Sequence, residues 1–182
     1  MKDLNLVRLA GEIFWSKLDD RQTYSILRVG MRLPDGTSAF VSVNNPSVKG
    51  HDATKAGNKV LIAQGAMDVW DKPDGTSEIQ IKANDAGVQF FPKEKALADM
   101  NSVAIIGKIL SYSDDTALIE MYGERNPKTN QPSVKKTRVK IGDSYKHIVG
   151  NKIMLEGKIV STEIEGKSKL SIEADYSKIT VL

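Results

Sequence analysis

Hydrophobic residues recur at every second position through much of the chain. Val7, Leu9, Gly11 and Ile13 alternate with more polar neighbours, the period of a strand with one buried face. Ala39, Val41 and Val43 alternate with Phe40, Ser42 and Asn44, and Ile79, Ile81 and Ala83 with Gln80 and Lys82. Together with 23–33 and a strand opening at Val60-Leu61-Ile62, this predicts five strands in the first half. Pro73-Asp74-Gly75-Thr76 reads as the turn before the fifth. The second half predicts strands over 102–110, 116–123, 135–142, 151–161 and 168–182, with Glu165-Gly166 at the last turn.

The two halves match in order. Residues 5–13 and 101–109 both read N-x-V-x-(L/I)-x-G-x-I, 96 positions apart. Asp19-Asp20 recurs as Asp114-Asp115 at 95, and Gly57-Asn58-Lys59-Val60 as Gly150-Asn151-Lys152-Ile153 at 93. Residues 77–84 recur as 168–175 at 91. Four matches in register indicate an internal repeat, and the falling offset predicts shorter loops in the second copy. The expected domains are 1–92 and 101–182, joined by 93–100, which reads as a linker or a short helix.

Five strands with an insertion between the third and fourth is the plan of an OB-fold. The insertion spans 45–57 in the first copy, long enough for a short irregular helix, and only 143–150 in the second. The expected fold class is all-β, two tandem five-stranded OB-fold Greek-key barrels, with an SH3-like barrel as the competing plan. Gly11, Gly65, Gly107 and Gly157 suit the corners where a barrel strand bends sharply.

Composition narrows the chemistry. The 182 residues include no cysteine, which removes disulfides, thiolate nucleophiles and zinc–cysteine sites. With His51 and His147 as the two histidines, a three-histidine metal site is impossible. No phosphate-binding glycine loop or triad spacing is present. Asp19-Asp20 and Asp114-Asp115 fall between strands one and two, where aspartate suits turn geometry. We expect no enzyme activity, no catalytic or metal-binding residues and no cofactor. No apolar run reaches membrane-span length, and the N-terminus lacks a signal-peptide core, so the chain is expected in the cytoplasm. Net charge is +3. Residues 1–92 hold 11 basic and 11 acidic side chains, whereas 101–182 hold 13 and 10, so the excess lies in the second copy.

The pattern at 5–13 and 101–109 resembles the first strand of the bacterial and phage single-stranded DNA-binding proteins, typically N-x-V-x-L-x-G-x-L. Residues 56–65 resemble that family's entry to strand four, and Val88-Gln89-Phe90-Phe91 its last strand. Two copies per chain resemble the tandem Deinococcus–Thermus members. The resemblance implies single-stranded DNA as partner, a role in DNA replication, recombination or repair, and a homodimer presenting four OB-folds. It also implies a Gly/Pro-rich tail with an acidic end that recruits partner proteins. This sequence ends instead in Ser177-Lys178-Ile179-Thr180-Val181-Leu182, so tail-mediated recruitment is not expected.

Binding single strands without sequence choice needs aromatic faces for bases and cations for phosphates. If Ala39, Val41 and Val43 face the core, Phe40 faces outward, at a place where the family commonly stacks a tryptophan. Trp70, before the Pro73-Asp74-Gly75 turn, resembles another such position. Trp15, closing strand one, and Tyr24, opening strand two, are further candidates, each equally suited to core or rim packing. Arg28, Arg32, Lys72 and Lys82 are candidate phosphate ligands beside them. In the second copy Lys136, Arg138 and Lys140 form an outward row if Val139 and Ile141 face in, with Arg138 taking the place of Phe40. Tyr122 faces out, and Arg125 and Lys128 lie on the following loop. The expected division has the first copy stacking bases and the second supplying phosphate contacts. Two other readings fit the residues: a tandem-OB module that binds protein, and single-stranded RNA binding, since stacking alone does not choose between sugars.

Overall fold

The computed structural model describes residues 3–45, 51–52, 58–74, 77–98, 100–164 and 167–182. The first half forms β1 (Asn5–Leu18), β2 (Ser25–Arg32), β3 (Ser38–Asn45), β4 (Asn58–Asp71), β5 (Ser77–Lys82) and β6 (Val88–Pro92). The second half forms β7 (Asn101–Ser113), β8 (Thr116–Arg125), β9 (Pro132–Lys140), β10 (Lys152–Ile164), β11 (Lys167–Ala174) and β12 (Thr180–Val181). The chain divides into two compact units. The first holds Val7–Asn101 with Ser161–Leu170, and the second Met1–Leu6, Ser102–Val160 and Ser171–Leu182.

In the first unit β1 pairs antiparallel with β2 and with β4. β2 pairs with β3, β4 with β5, and β3 runs parallel to β5. The order β1-β2-β3-β5-β4 therefore returns to β1, and β6 lies along β4 outside the ring. The second half repeats the pattern: β7 pairs with β8 and β10, β8 with β9, and β9 runs parallel to β11, which neighbours β10. The strands are those of the all-β class that the alternation predicted.

Closure requires a strand to leave one partner for another. β4 pairs with β1 up to Gly65 and with β5 from Ala66 onward. A Cβ on Gly65 would collide with the Lys82 carbonyl of β5, and one on Gly157 with the Glu173 carbonyl of β11. A Cβ on Gly11 or Gly107 would sit 2.6 Å from the Val29 or Ile119 side chain across the pair. The four predicted corner glycines thus occupy matching close approaches. Inside the rings the alternating set is buried, with Leu9, Leu27, Val29, Val41, Leu61 and Ile81 in the first and Ile105, Ile119, Val139 and Ile153 in the second. Each such side chain contributes about 1.5–3 kcal/mol relative to exposure.

The repeat extends to details. Pairing slips by one residue after Ile13 in β1 and after Ile109 in β7, a β-bulge at the same place in both copies. Asn84 accepts from the Gly87 N–H at 2.8 Å and Asp175 from the Ser177 N–H at 3.1 Å, so each caps a short 3-10 turn after the fifth strand. That cap corrects one expectation. Residues 168–182 are not one strand, because the chain turns at Tyr176–Lys178 before Thr180 and Val181 pair back onto β10.

Both aspartate pairs are turn devices. The Asp19 carboxylate accepts from the N–H groups of Arg21, Thr23 and Tyr24 and from the Thr23 hydroxyl. Asp114 and Asp115, at φ 48° and 60°, make the two-residue turn from β7 to β8. β1 does not close at Trp15 but continues to Leu18, and β2 opens at Ser25, leaving Tyr24 in the turn. Of the expected insertion 45–57, Asn45 ends β3, His51 and Asp52 are helical and the rest lies outside the described residues. The shorter second insertion is a 3-10 helix, Asp143–Ile148. The described part of 93–100 contains a turn and no helix.

Residues 3–6 belong to the second unit. The Leu4 carbonyl accepts from the Ile106 N–H, and the Asp3 N–H donates to the Tyr122 carbonyl, both at 2.9 Å. The buried Asp3 carboxylate accepts from the Tyr122 N–H at 2.9 Å and pairs with Lys152 Nζ at 2.5 Å. The strand-switch geometry yields a stability prediction. Gly65→Ala should lower the unfolding free energy by about 2–3 kcal/mol, because a backbone carbonyl cannot yield as a side chain can. Gly36→Ala, at φ +83° with nothing within 4 Å of its Cβ, should cost only about 1 kcal/mol. Urea denaturation of the two variants makes the comparison.

Candidate functional site

The outer surface of the first ring is built by residues whose neighbours face the core. On β3, Ala39 and Val41 are buried and Phe40 stands between them, 40% exposed. Directly across on β2 is Gly30. With no side chain at Gly30, the Phe40 ring is met by Phe14 from the β1 bulge, edge to face, with centroids 4.9 Å apart. A Cβ on Gly30 would lie 2.6 Å from the Phe14 ring, so the glycine makes room for the pair. Phe14 is 59% exposed and Trp15 beside it 45%. The bulge accounts for two successive aromatics pointing outward, which strict alternation forbids.

Charge lies next to the rings. The Arg28 guanidinium sits 5.6 Å from the Phe40 centroid, within cation–π reach. Its Nη1 donates to Glu78 Oε1 at 2.7 Å and to the Ser42 hydroxyl at 3.3 Å. Glu78 also takes a hydrogen bond from Ser42 and pairs with Lys72 Nζ at 2.9 Å. Partial burial pushes the Glu78 carboxyl up. The hydrogen bonds from Lys72 and Ser42 and the charges of Arg28 and Lys72 outweigh burial, and hold it below the ordinary glutamate value.

The structure therefore brings Phe40, Arg28 and Lys72 into one cluster, and Trp15 joins them in register opposite Arg28. Phe14, Ser42 and Glu78 belong to the same cluster and were missed by sequence reasoning. Phe14 was legible as the residue after an inward Ile13, whereas the Glu78 contacts span 36 and 50 positions and leave no local signal. Tyr24 lies apart, half-buried in the β1–β2 turn. Arg32 is exposed at the end of β2, and Lys82 lies 3.9 Å from Asp68. Trp70 is on β4 in register with Glu78, and its side chain lies outside the described residues.

The second unit carries different residues at the same register positions. Gly30 faces Glu12, and Glu120 faces Lys108, so Glu120 stands where the first unit has Gly30. Lys136 faces Glu120 as Phe40 faces Gly30. The expectation that Arg138 takes the place of Phe40 is thus corrected: Lys136 does, and Arg138 matches Ser42. The cause is loop length. The first turn shortens the spacing between matched residues from 96 to 90, and the longer β8–β9 hairpin restores it to 96.

Lys136 and Arg138 are exposed as predicted, and Lys140 is half-buried. Lys136 Nζ lies 4.0 Å from Glu120, whose other contact is the Tyr122 hydroxyl at 2.8 Å. That hydrogen bond, then the Glu120 charge, raises the Tyr122 phenol above its ordinary value. Lys140 lies 3.4 Å from Asp115, whose charge and hydrogen bond raise its ammonium. On the hairpin Arg125 Nη1 donates to the Asn130 carbonyl at 2.8 Å, and Lys128 is exposed.

No protein-family model and no curated protein sequence matches the chain. Solved structures do match. Wild-type single-stranded DNA binding protein from Thermus aquaticus aligns with a TM-score of 0.61 and 16% identity, over 100% of this chain and 94% of that one. Its deletion mutant delta 228-252 R190A aligns with a TM-score of 0.57 and 15% identity, over 100% and 95%. At such identity the likeness establishes a shared fold, and it extends over both halves of the chain.

The Glu78 cluster carries a pH signature that needs no ligand. Its folded-state carboxyl lies below the ordinary value of 4.5, so it stabilises the fold above that pH and loses this contribution as pH falls through the folded value. In denaturation experiments the stability gap between the parent protein and Glu78→Gln should be constant from about pH 5 to 7 and narrow steadily below about pH 4.5.

Proposed function

We propose that the chain binds single-stranded DNA without strong sequence preference, stacking bases on Phe14 and Phe40 of the first unit. The observation that carries this reading is the exposed edge-to-face pair seated on Gly30. Exposed phenylalanines on a strand gain nothing from water, and Phe14 and Phe40 keep 59% and 40% of their surface accessible. A base stacked on such a face contributes roughly 1–3 kcal/mol. Arg28 lies where it reaches both the ring and an approaching phosphate. The fold shared with Thermus single-stranded DNA binding proteins supports the same ligand.

The second unit lacks the aromatic pair, carrying Leu110 and Lys136 at the matching places. Its part is electrostatic: Lys136, Arg138 and Lys140 along β9, with Arg125 and Lys128 on the hairpin, contact phosphates. The long Lys136–Glu120 contact at 4.0 Å and the part-exposed Lys140–Asp115 pair at 3.4 Å are weak enough for a polyanion to exchange. The chain is a binding protein rather than an enzyme, guarding single strands in the cytoplasm during replication, recombination or repair, and it assembles as a homodimer.

Titration with oligo-dT, oligo-rU and duplex DNA, followed by tryptophan fluorescence, tests the reading. Oligo-dT should quench strongly and salt should reverse it; a chain indifferent to all three would instead support a protein-binding module, and equal affinity for oligo-rU would remove the DNA preference. Phe40→Ala and Phe14→Ala should each weaken oligo-dT binding by about 5–150-fold, the equivalent of roughly 1–3 kcal/mol, with little change in salt dependence. Lys136→Met should instead lessen the slope of log affinity against log salt by about 0.7. A steep loss of slope in the phenylalanine variants would overturn the assigned division of labour.

A further inference from the structure

The face that carries Phe14 and Phe40 has an acid built into it. Glu78 is only 12% exposed, and its two oxygens serve three partners: Arg28 and Ser42 at Oε1, Lys72 at Oε2. The same Arg28 faces the Phe40 ring. A phosphate reaching this face therefore meets two cations already satisfied and one negative charge beside them. A polyanion site built for maximal attraction would leave that carboxylate out.

We infer that Glu78 is an internal counter-anion that restrains the affinity of this face for nucleic acid and sets its salt dependence. The inference rests on the single-strand reading above. While Arg28 and Lys72 neutralise Glu78, they release fewer counterions from an incoming strand than two bare cations would. Each phosphate fully neutralised on a single strand adds about 0.7 to the log–log salt slope. The half-buried carboxylate is ionised at neutral pH, and Ser42 fixes it in place, so the restraint is present in every molecule rather than in a fluctuating fraction. The expected benefit is reversibility: a strand is held by stacking and is released by modest competition for its phosphates.

The test uses the full chain, labelled oligo-dT and fluorescence anisotropy across roughly 50–200 mM salt. Glu78→Gln keeps the shape and removes the charge. It should bind about 3–10-fold tighter at the low-salt end, with a slope steeper by roughly 0.7–1.4, one to two additional phosphates. Unchanged slope with equal or weaker binding overturns the inference and makes Glu78 a support that merely orients Arg28. Should the glutamine variant fail to fold by circular dichroism, Glu78→Asp decides. Its shorter side chain loosens both ion pairs, so tighter and steeper binding supports the restraint and parental behaviour overturns it. The parent protein is measured first, so absence of oligo-dT binding there defeats the single-strand reading itself and is distinct from a failure of Glu78 alone.

Discussion

Each ring closes because one strand serves two partners, and the change of partner happens where backbone meets backbone with no Cβ between. At Gly65 the chain stops pairing with β1 and starts pairing with β5, pressed against the Lys82 carbonyl. Gly157 meets the Glu173 carbonyl in the same way. Any side chain there would hold the strands apart and leave an open, curled sheet with two unpaired edges. With closure in place, β3 is brought alongside β5, the alternate residues of every strand share one interior, and the remaining residues are forced outward. The outward placement of Phe40 and Arg28, with the buried Ser42 hydroxyl beside Arg28, is thus a consequence of closure and alternation, not of any local preference of those residues.

That dependence explains what was legible in the sequence. The corner glycines, the alternation and the aspartate turns are local signals, and each appeared twice, so the strands and the all-β class could be read directly. The outward placement of Phe40 followed from its buried neighbours. The bulge after Ile13 could not be read, because an inserted residue leaves no mark in a string of letters. Only pairing against β2 shows that both Phe14 and Trp15 turn outward. Register between the copies failed for a related reason. Asp19-Asp20 and Asp114-Asp115 look aligned, yet the first turn takes six residues, 19–24, and the second takes two, 114–115, so matching by letters drifts before strand three. The Ser42–Glu78–Arg28 contacts join three strands and were out of reach of any local pattern.

The two rings differ in the residue opposite strand three. Glycine at position 30 leaves a hollow that two phenylalanines fill. Glutamate at position 120 fills the same place itself and draws Lys136 and Tyr122 to it. One substitution class therefore separates an apolar platform from a charged one, while the interior of both rings remains aliphatic. The excess positive charge of the second half is likewise not a bare field. Lys136, Lys140, Lys152 and Lys178 all stand within ion-pair distance of an acid. Where those pairs are exposed they contribute on the order of 0–1 kcal/mol each. The Asp3–Lys152 pair differs, because Asp3 is buried and its backbone is bonded to β8, so it belongs to the fold rather than to the surface.

If bases stack on them as proposed, the placement of the phenylalanines on strands, rather than on loops, bears on how much of the stacking energy would survive. A loop aromatic must be ordered when a base arrives, and that costs about 0.5–1.5 kcal/mol per side chain. Phe14 and Phe40 are already held against each other by an edge-to-face contact, itself contributing about 0.5–1.5 kcal/mol. Arg28 steadies the arrangement from the side, and Glu78 steadies Arg28. The cluster is therefore ordered by its own contacts, and on the proposal above the same carboxylate that secures its geometry would subtract from its attraction for phosphate. On the proposed stacking role, rigidity would raise what each stacked base contributes and the internal anion would limit what the nucleic-acid backbone adds, so the balance of this face would shift toward bases and away from charge.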